Sequence, residues 1–202
     1  MEADLERQLR AGAAQVGAPL DDALVGKLSR YADLLVFWNR KVNLTAIRDP
    51  ADIVDRHFVD SLSLLPFIPA TARSLADLGS GGGFPGAVLA LARPDLEVSL
   101  VESIHKKAAF LEALRRDIPL PHVRVFPQRA EDWSAGLTTP PDVLVSRATW
   151  DLPEWLSRAA AIAPTALILG MEGADEHPLP PGAQRHPIPH PTARRSVITY
   201  RP

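Results

Sequence analysis

Ten residues, Asp77-Leu78-Gly79-Ser80-Gly81-Gly82-Gly83-Phe84-Pro85-Gly86, limit the architectures open to this 202-residue chain. They follow a short apolar run, Ser74 to Leu78, and precede a helical one, Ala87 to Ala92. Glycines at such a junction admit positive φ and let backbone N–H groups and a helix N-terminus close on a ligand, as in the first turn of a nucleotide-binding βαβ unit. The chain keeps that rhythm after Thr71. Candidate strands at Val98 to Val101, Val123 to Phe126, Val143 to Ser146, Thr165 to Leu169 and Val197 to Tyr200 alternate with helical candidates at Ile104 to Arg116 and Leu152 to Ala161. The alternation predicts an α/β fold with a doubly wound, mostly parallel sheet.

Residues 1–70 read differently. Leu5, Leu9, Ala13 and Val16 form one helical stripe, and Leu24, Leu28, Tyr31, Leu35 and Trp38 form a second at spacings of 4, 3, 4 and 3, with Asp21 placed to cap it. A third helical stretch covers Val59 to Phe67. The expectation is a helical N-terminal extension over 1–70 packed on a ligand-binding core over 71–202, together one integrated domain; 46% hydrophobic residues suffice for its core. Six of the 20 prolines fall between 178 and 191, which predicts an extended connection there.

Charge and composition remove several function classes. With 22 Lys+Arg against 24 Asp+Glu the net charge is −2, so a nucleic acid must be held by a local basic patch. Residues 185 to 202 carry Arg185, Arg194, Arg195 and Arg201 without an acid, and are the expected patch. The absence of cysteine excludes disulfides, thiolate metal sites and the covalent route to pyrimidine C5. The six histidines show no paired ligand spacing, so no metal is expected. Without a signal-peptide pattern or an apolar run of about 18 residues, the expected protein is soluble and cytoplasmic, with no membrane partner. A monomer is the default expectation.

About 20 residues after the glycine loop, the second strand ends in Glu102, whose carboxylate can accept hydrogen bonds from a ribose diol. Asp77, two residues before the first glycine, can reach the loop or a ligand's amino group. Together with the G-x-G-x-G spacing of Gly79, Gly81 and Gly83, this favours S-adenosylmethionine. NAD(P), which places a pyrophosphate beside the helix, and a purely structural turn stay open, as do the matching functions of an NAD(P)-dependent oxidoreductase and a non-catalytic ribosome-binding module.

Three blocks in order, Phe37-Trp38-Asn39-Arg40-Lys41-Val42-Asn43-Leu44-Thr45, Arg56-His57-Phe58-Val59-Asp60-Ser61 and the glycine loop itself, resemble the bacterial RsmG family, formerly glucose-inhibited division protein B. Val101-Glu102-Ser103 with Lys106-Lys107, Arg129-Ala130-Glu131, Val145-Ser146-Arg147-Ala148 and Pro191-Thr192-Ala193-Arg194-Arg195 extend the likeness over nearly the whole chain. The resemblance implies a class I methyltransferase that moves the methyl group of S-adenosylmethionine to N7 of a guanine in 16S ribosomal RNA near the decoding site, with that RNA or the 30S subunit as partner. It implies cofactor contacts at Gly79 and Phe84, an adenine site at Ala130 and Glu131, and Arg147 at the cofactor pocket. Arg129, Arg147 and Arg195 are then expected to position RNA or guanine. One departure stands out: where the family commonly has Leu-Lys-Gly, this chain reads Leu169-Gly170-Met171-Glu172-Gly173, with Glu172 or Met171 in the lysine's place.

Guanine N7 offers a lone pair and carries no proton, so its methylation needs alignment and no general base. Consistent with this, the N/D-P-P-Y motif of exocyclic-amine methyltransferases is absent. Arg56, His57 and Asp60 read as a buried hydrogen-bonded cluster, Asn39, Asn43 and Thr45 as a helix-end device or an RNA-facing edge, Lys106 and Lys107 as a solvated face, and Trp133 and Trp150 as core or base-stacking groups.

Overall fold

In the computed structural model, which describes residues 1–147, 149–189 and 194–202, five strands follow the βα rhythm: β1 (Ser74–Leu78), β2 (Glu97–Val101), β3 (Val123–Phe126), β4 (Val143–Val145) and β5 (Leu167–Glu172). Two more, β6 (Gln184–Pro187) and β7 (Ser196–Tyr200), complete a seven-stranded sheet in the order β3-β2-β1-β4-β5-β7-β6. The first five are parallel, and β7 lies antiparallel between β5 and β6. Strand order reverses between β1 and β4, the topological switch point where α/β sheets open a crevice at their carboxyl ends. Register makes that crevice level, because Asp77 pairs with Leu100 on one side and Val145 on the other. Gly79, Glu102 and Arg147 therefore leave the sheet at one edge.

The N-terminal segment forms α1 (Ala3–Gln15), α2 (Asp22–Asn39) and a short irregular helix made of α3 (Pro50–Ile53), a π-helical turn (Val54–Val59) and α4 (Asp60–Leu62). Asp21 caps α2 as expected, accepting from Leu24 N at 2.7 Å. Leu9, Leu28, Tyr31 and Phe58 are fully buried and share one core with Leu89 of α5 (Gly86–Ala92) and Phe110 of α6 (His105–Asp117). The other sheet face is covered by α7 (Ala130–Ala135) and α8 (Leu152–Ile162), where Trp133, Trp155 and Leu156 pack on Ile168 and Ile198. The Trp155 indole N–H finds an acceptor at Leu169 O, 3.0 Å away.

Three sequence expectations change. The fifth strand begins at Leu167 and continues to Glu172, because Gly170, Met171 and Glu172 gain antiparallel partners on β7. The proline-rich stretch contains β6, an edge strand whose Pro187 stands at its end, where a missing N–H is tolerated. Six-residue α7 is too short to leave a periodic signature. Pro191 of the same stretch lies outside the described residues. No helix among the described residues is long and apolar enough to cross a membrane.

Candidate active site

The glycine loop folds back over the end of β2. Gly79 has φ +75°, and a Cβ there would collide with the Thr149 side chain, so the turn leaving β1 requires glycine. Above it lies a cavity of about 440 Å3 lined by Thr45, His57, Gly79–Gly82, Phe84, Glu102, Ile104, Lys107 and Arg147 among others. It shares Gly79, Ser103 and Thr149 with an adjoining hollow of about 290 Å3 lined by Gln128, Arg129, Ala130 and Glu131. The Glu102 carboxylate enters the larger cavity, its Oε2 accepting from Gly81 N at 2.8 Å and its Oε1 from Ile104 N at 2.7 Å. Those bonds fix the carboxylate and leave lone pairs for a diol, since an ionised carboxylate can accept about four hydrogen bonds.

The loop's donors decide which nucleotide fits. Gly79 N and Ser80 N donate to Val101 O, Gly83 N and Phe84 N donate to Ser80 O, Gly81 N is held by Glu102, and Gly86 N donates to Asp77 Oδ2 at 2.9 Å. A pyrophosphate would need these N–H groups, and it would meet the buried Asp77 carboxylate at the start of α5. A sulfonium ligand with no phosphate makes neither demand. S-adenosylmethionine therefore fits the residues present, with Glu102 for its ribose and the glycine turn beside its methionine half, and a dinucleotide does not.

Asp77 is not at the cavity surface. It is fully buried beneath the loop, where burial pushes its pKa up to about 7 against the lowering effect of the Gly86 N–H, and its Oδ1 has no hydrogen-bond partner among the described residues. Gly83 likewise supports the loop from within: Tyr31 OH donates to Gly82 O at 2.5 Å, in space that a Gly83 side chain would occupy. The Phe84 ring stacks on Tyr31, at a centroid distance of 5.2 Å, and on His57, at 4.3 Å.

His57 and Arg147 form the wall opposite Glu102. The guanidinium of Arg147 lies 5.3 Å from the Phe84 centroid and donates to Arg56 O and, at 2.6 Å, to His57 Nδ1. Since arginine can only donate, His57 must carry its proton on Nε2 and give it to Thr45 Oγ1, 2.7 Å away. Burial, reinforced by the Arg147 charge, pushes the His57 pKa down to about 3. Thr45 is in turn set by Asn39, whose Oδ1 accepts from Leu44 N and Thr45 N while its Nδ2 donates to Thr45 O. The expected buried cluster of Arg56, His57 and Asp60 is not formed: only His57 is buried, Arg56 is exposed, and the bonds of this group run to Arg147, Thr45 and Arg195, while Asn39 is a helix-end device. On its far side Arg147 borders an open cleft of about 900 Å3 that also includes Asp55, Asp60, Trp150, Asp151, Asp175 and Arg194.

The arginines expected to act on RNA separate. Arg147 is the one described residue that lines both the cavity and the cleft. Arg129 is exposed at the start of α7, with Ala130 buried and Glu131 paired to Arg158 at 2.9 Å. Arg195 is no solvated tail residue: it contacts Asp60 and lies 3.0 Å from Asp55, with 14% of its side chain exposed. Arg185 bonds to Glu172 Oε2 at 2.7 Å, so Glu172 is a buried acid with its own cation. Trp133 is core and Trp150 stacks on Trp155. Lys107, expected on a solvated face, lines the cavity, and so does Thr45, which carries no sequence signal for that place; the run of three glycines and Phe84 gives no indication of which distant loop covers them. Ala148 and Pro191-Thr192-Ala193 lie outside the described residues. Among the described residues no group of three His, Cys, Asp or Glu is placed to hold a metal.

Residues 25–177 match the family model described as rRNA small subunit methyltransferase G. The chain is 44% identical over 180 residues to a ribosomal RNA small subunit methyltransferase G from Anaeromyxobacter sp. (strain Fw109-5), covering 87% of this chain and 83% of that protein. Its counterpart in Burkholderia mallei (strain NCTC 10229) is 39% identical over 208 residues, covering 96% and 90%. Among solved structures, the O-methyltransferase TomG from Streptomyces achromogenes superposes with a TM-score of 0.58 at 17% identity over 90% of each chain. MtNAS, in complex with MTA and tNA, gives 0.55 at 15% identity over 89% of this chain and 74% of its own. These two likenesses concern the fold alone.

Proposed function

This chain belongs to the rRNA small subunit methyltransferase G family, and we propose that it transfers the methyl group of S-adenosylmethionine to N7 of one guanine in 16S ribosomal RNA near the decoding site. The observation that carries the N7 reading is the state of His57. It is the one imidazole among the described residues that lines the cavity, and its Nδ1 lone pair is taken up by Arg147 while its pKa is held at about 3. Such a group cannot take a proton from an amine or a hydroxyl, and N7 gives none up.

The bound cofactor supplies an electrophilic methyl group with a leaving thioether. The chain supplies alignment. Glu102 holds the ribose, the glycine turn admits the methionine half, and Arg147 stands where cavity and cleft meet. Methylation at N7 leaves the guanine cationic, and the cleft offers the Asp151 carboxylate to stabilise the charge that develops there. Asp77 keeps the loop in place from below. A ribosomal RNA substrate places the proposed reaction in the cytoplasm.

The reading is tested by incubating unmethylated 30S subunits with the protein and cofactor, digesting the RNA and identifying the methylated nucleoside by mass spectrometry. 7-Methylguanosine is expected. An N2-methyl or ribose-methyl product would overturn the N7 assignment, and no product would overturn the transferase reading.

A further inference from the structure

Resting on that reading and extending it, we propose that the end of α2, the loop after it and the first turn of α6 form the surface that grips single-stranded RNA flanking the target, with Arg40, Lys41, Lys106 and Lys107 on its phosphates and Phe37 stacked on an unpaired base.

The fold distributes its charges unevenly. A chain of net charge −2 holds RNA only where cations are left without carboxylates. Arg10, Arg30, Arg93, Arg115, Arg185 and Arg195 are all consumed by acidic partners. That group includes two of the four arginines of the C-terminal segment. By contrast Arg40, Lys41, Arg48, Lys106 and Lys107 make no ion pair with any described residue, and all but Lys107 are exposed.

Packing brings Arg40, Lys41, Lys106 and Lys107 to one place. Arg30 bonds to Asp117 at 2.6 Å, and Trp38 meets Phe110 at 5.8 Å, so α2 and α6 run antiparallel and the end of one lies beside the start of the other. Both segments also border the cofactor cavity, through Leu44, Thr45 and Ala46 and through Ile104 and Lys107. Phosphates bound there would lie along the rim of that cavity.

Helix electrostatics separates a function from a bland arrangement. Cations at the end of α2 are favoured by its dipole and would carry little argument alone. At the start of α6 the dipole disfavours them, yet the first turn has Lys106 and Lys107 and no acid. The placement costs helix stability and gains an anion site. Apolar surface points the same way, since Phe37 is 59% exposed and Ile104 50%, each beside the unpaired cations. Basic groups interleaved with an exposed aromatic suit single-stranded RNA, whose bases can leave the stack and lie on a ring.

The test uses the full chain, unmethylated 30S subunits as the probe, and binding measured across a salt series. R40Q/K41Q/K106Q is expected to reduce the slope of log affinity against log salt by about 2, at about 0.7 for each single-strand phosphate no longer neutralised. K27Q/R116Q/R124Q, which removes three unpaired cations elsewhere, should leave the slope within error, and F37A should weaken binding about tenfold or more with the slope unchanged. Titration with S-adenosylhomocysteine should be the same for all these variants. Equal slopes for the first variant and wild type, or equal losses in both triple variants, would overturn the surface. Failure of the wild type to make 7-methylguanosine would overturn the proposed reaction instead, while the slope comparison would still judge the surface.

Discussion

Replacing Arg195 with methionine separates a structural tie from an RNA contact. The Arg195 guanidinium is 14% exposed and sits between Asp60, 15% exposed, and Asp55, 28% exposed. Removing one partner of a buried ion pair costs about 3–5 kcal/mol, and water returning to the more exposed Asp55 reduces this to about 2–4 kcal/mol. For a chain of this length a loss of about 3 kcal/mol lowers Tm by about 7 °C. The loss also has a pH signature. Burial raises the Asp60 pKa above its usual 3.8, and Arg195 heads the influences that hold it down. In the variant that pKa rises further. A carboxyl with a folded pKa above its unfolded value binds its proton more tightly when folded, so stability falls as pH climbs from the unfolded value through the folded one. The difference between R195M and wild type should therefore be greatest at neutral pH and shrink as pH falls toward the ordinary carboxylate value, as Asp60 takes up its proton in both. Denaturant melts at several pH values measure it directly. A variant with wild-type stability and a flattened salt dependence of RNA binding would refute the tie and return Arg195 to the RNA surface.

Four further outcomes follow from the site. Glu102→Ala should weaken cofactor binding by about 1–3 kcal/mol in a calorimetric titration with S-adenosylhomocysteine, because a charge-assisted acceptor is removed. Gly79→Ala should abolish that binding, since the position combines φ +75° with a collision against Thr149; adding Thr149→Gly should relieve the collision and leave about 1–2 kcal/mol of backbone strain, read from the melting curve. Glu172→Lys should destabilise the fold by about 3–5 kcal/mol by facing a buried lysine with Arg185, and Glu172→Lys/Arg185→Glu should recover a large part of that loss in the same melts. With His57 neutral down to about pH 3, the single-turnover rate at saturating cofactor and RNA should be nearly flat between about pH 6 and 9, whereas a tenfold rise per pH unit would reveal a base.

What is legible in the sequence is local. The strand, glycine turn and helix around Gly79 are written in adjacent residues, and so is Glu102 at the end of the next strand, because a backbone that must pass close to a ligand tolerates few side chains. The partners of the arginines are not legible. Arg195 meets Asp60 across 135 positions and Arg147 meets His57 across 90, and no periodicity records a contact between segments joined only by the fold. Residue type announces a donor; the acceptor comes from topology.

Glu172 shows the same effect. It accepts from Arg185 Nε, from His177 N and from His177 Nδ1, which fastens the connection after β5 to edge strand β6. A lysine there would add a cation beside Arg185, and a cation that looks available in a basic C-terminal segment is spent inside the fold. Each arginine neutralised in this way sharpens the contrast with Arg40, Lys41 and Lys106, which pair with no acid among the described residues. Net charge measures the sum of the two groups, whereas affinity for a polyanion depends on the second alone. A protein two charges on the acidic side can thus present a cationic edge beside its cofactor cavity, provided its folding pairs the remaining cations elsewhere.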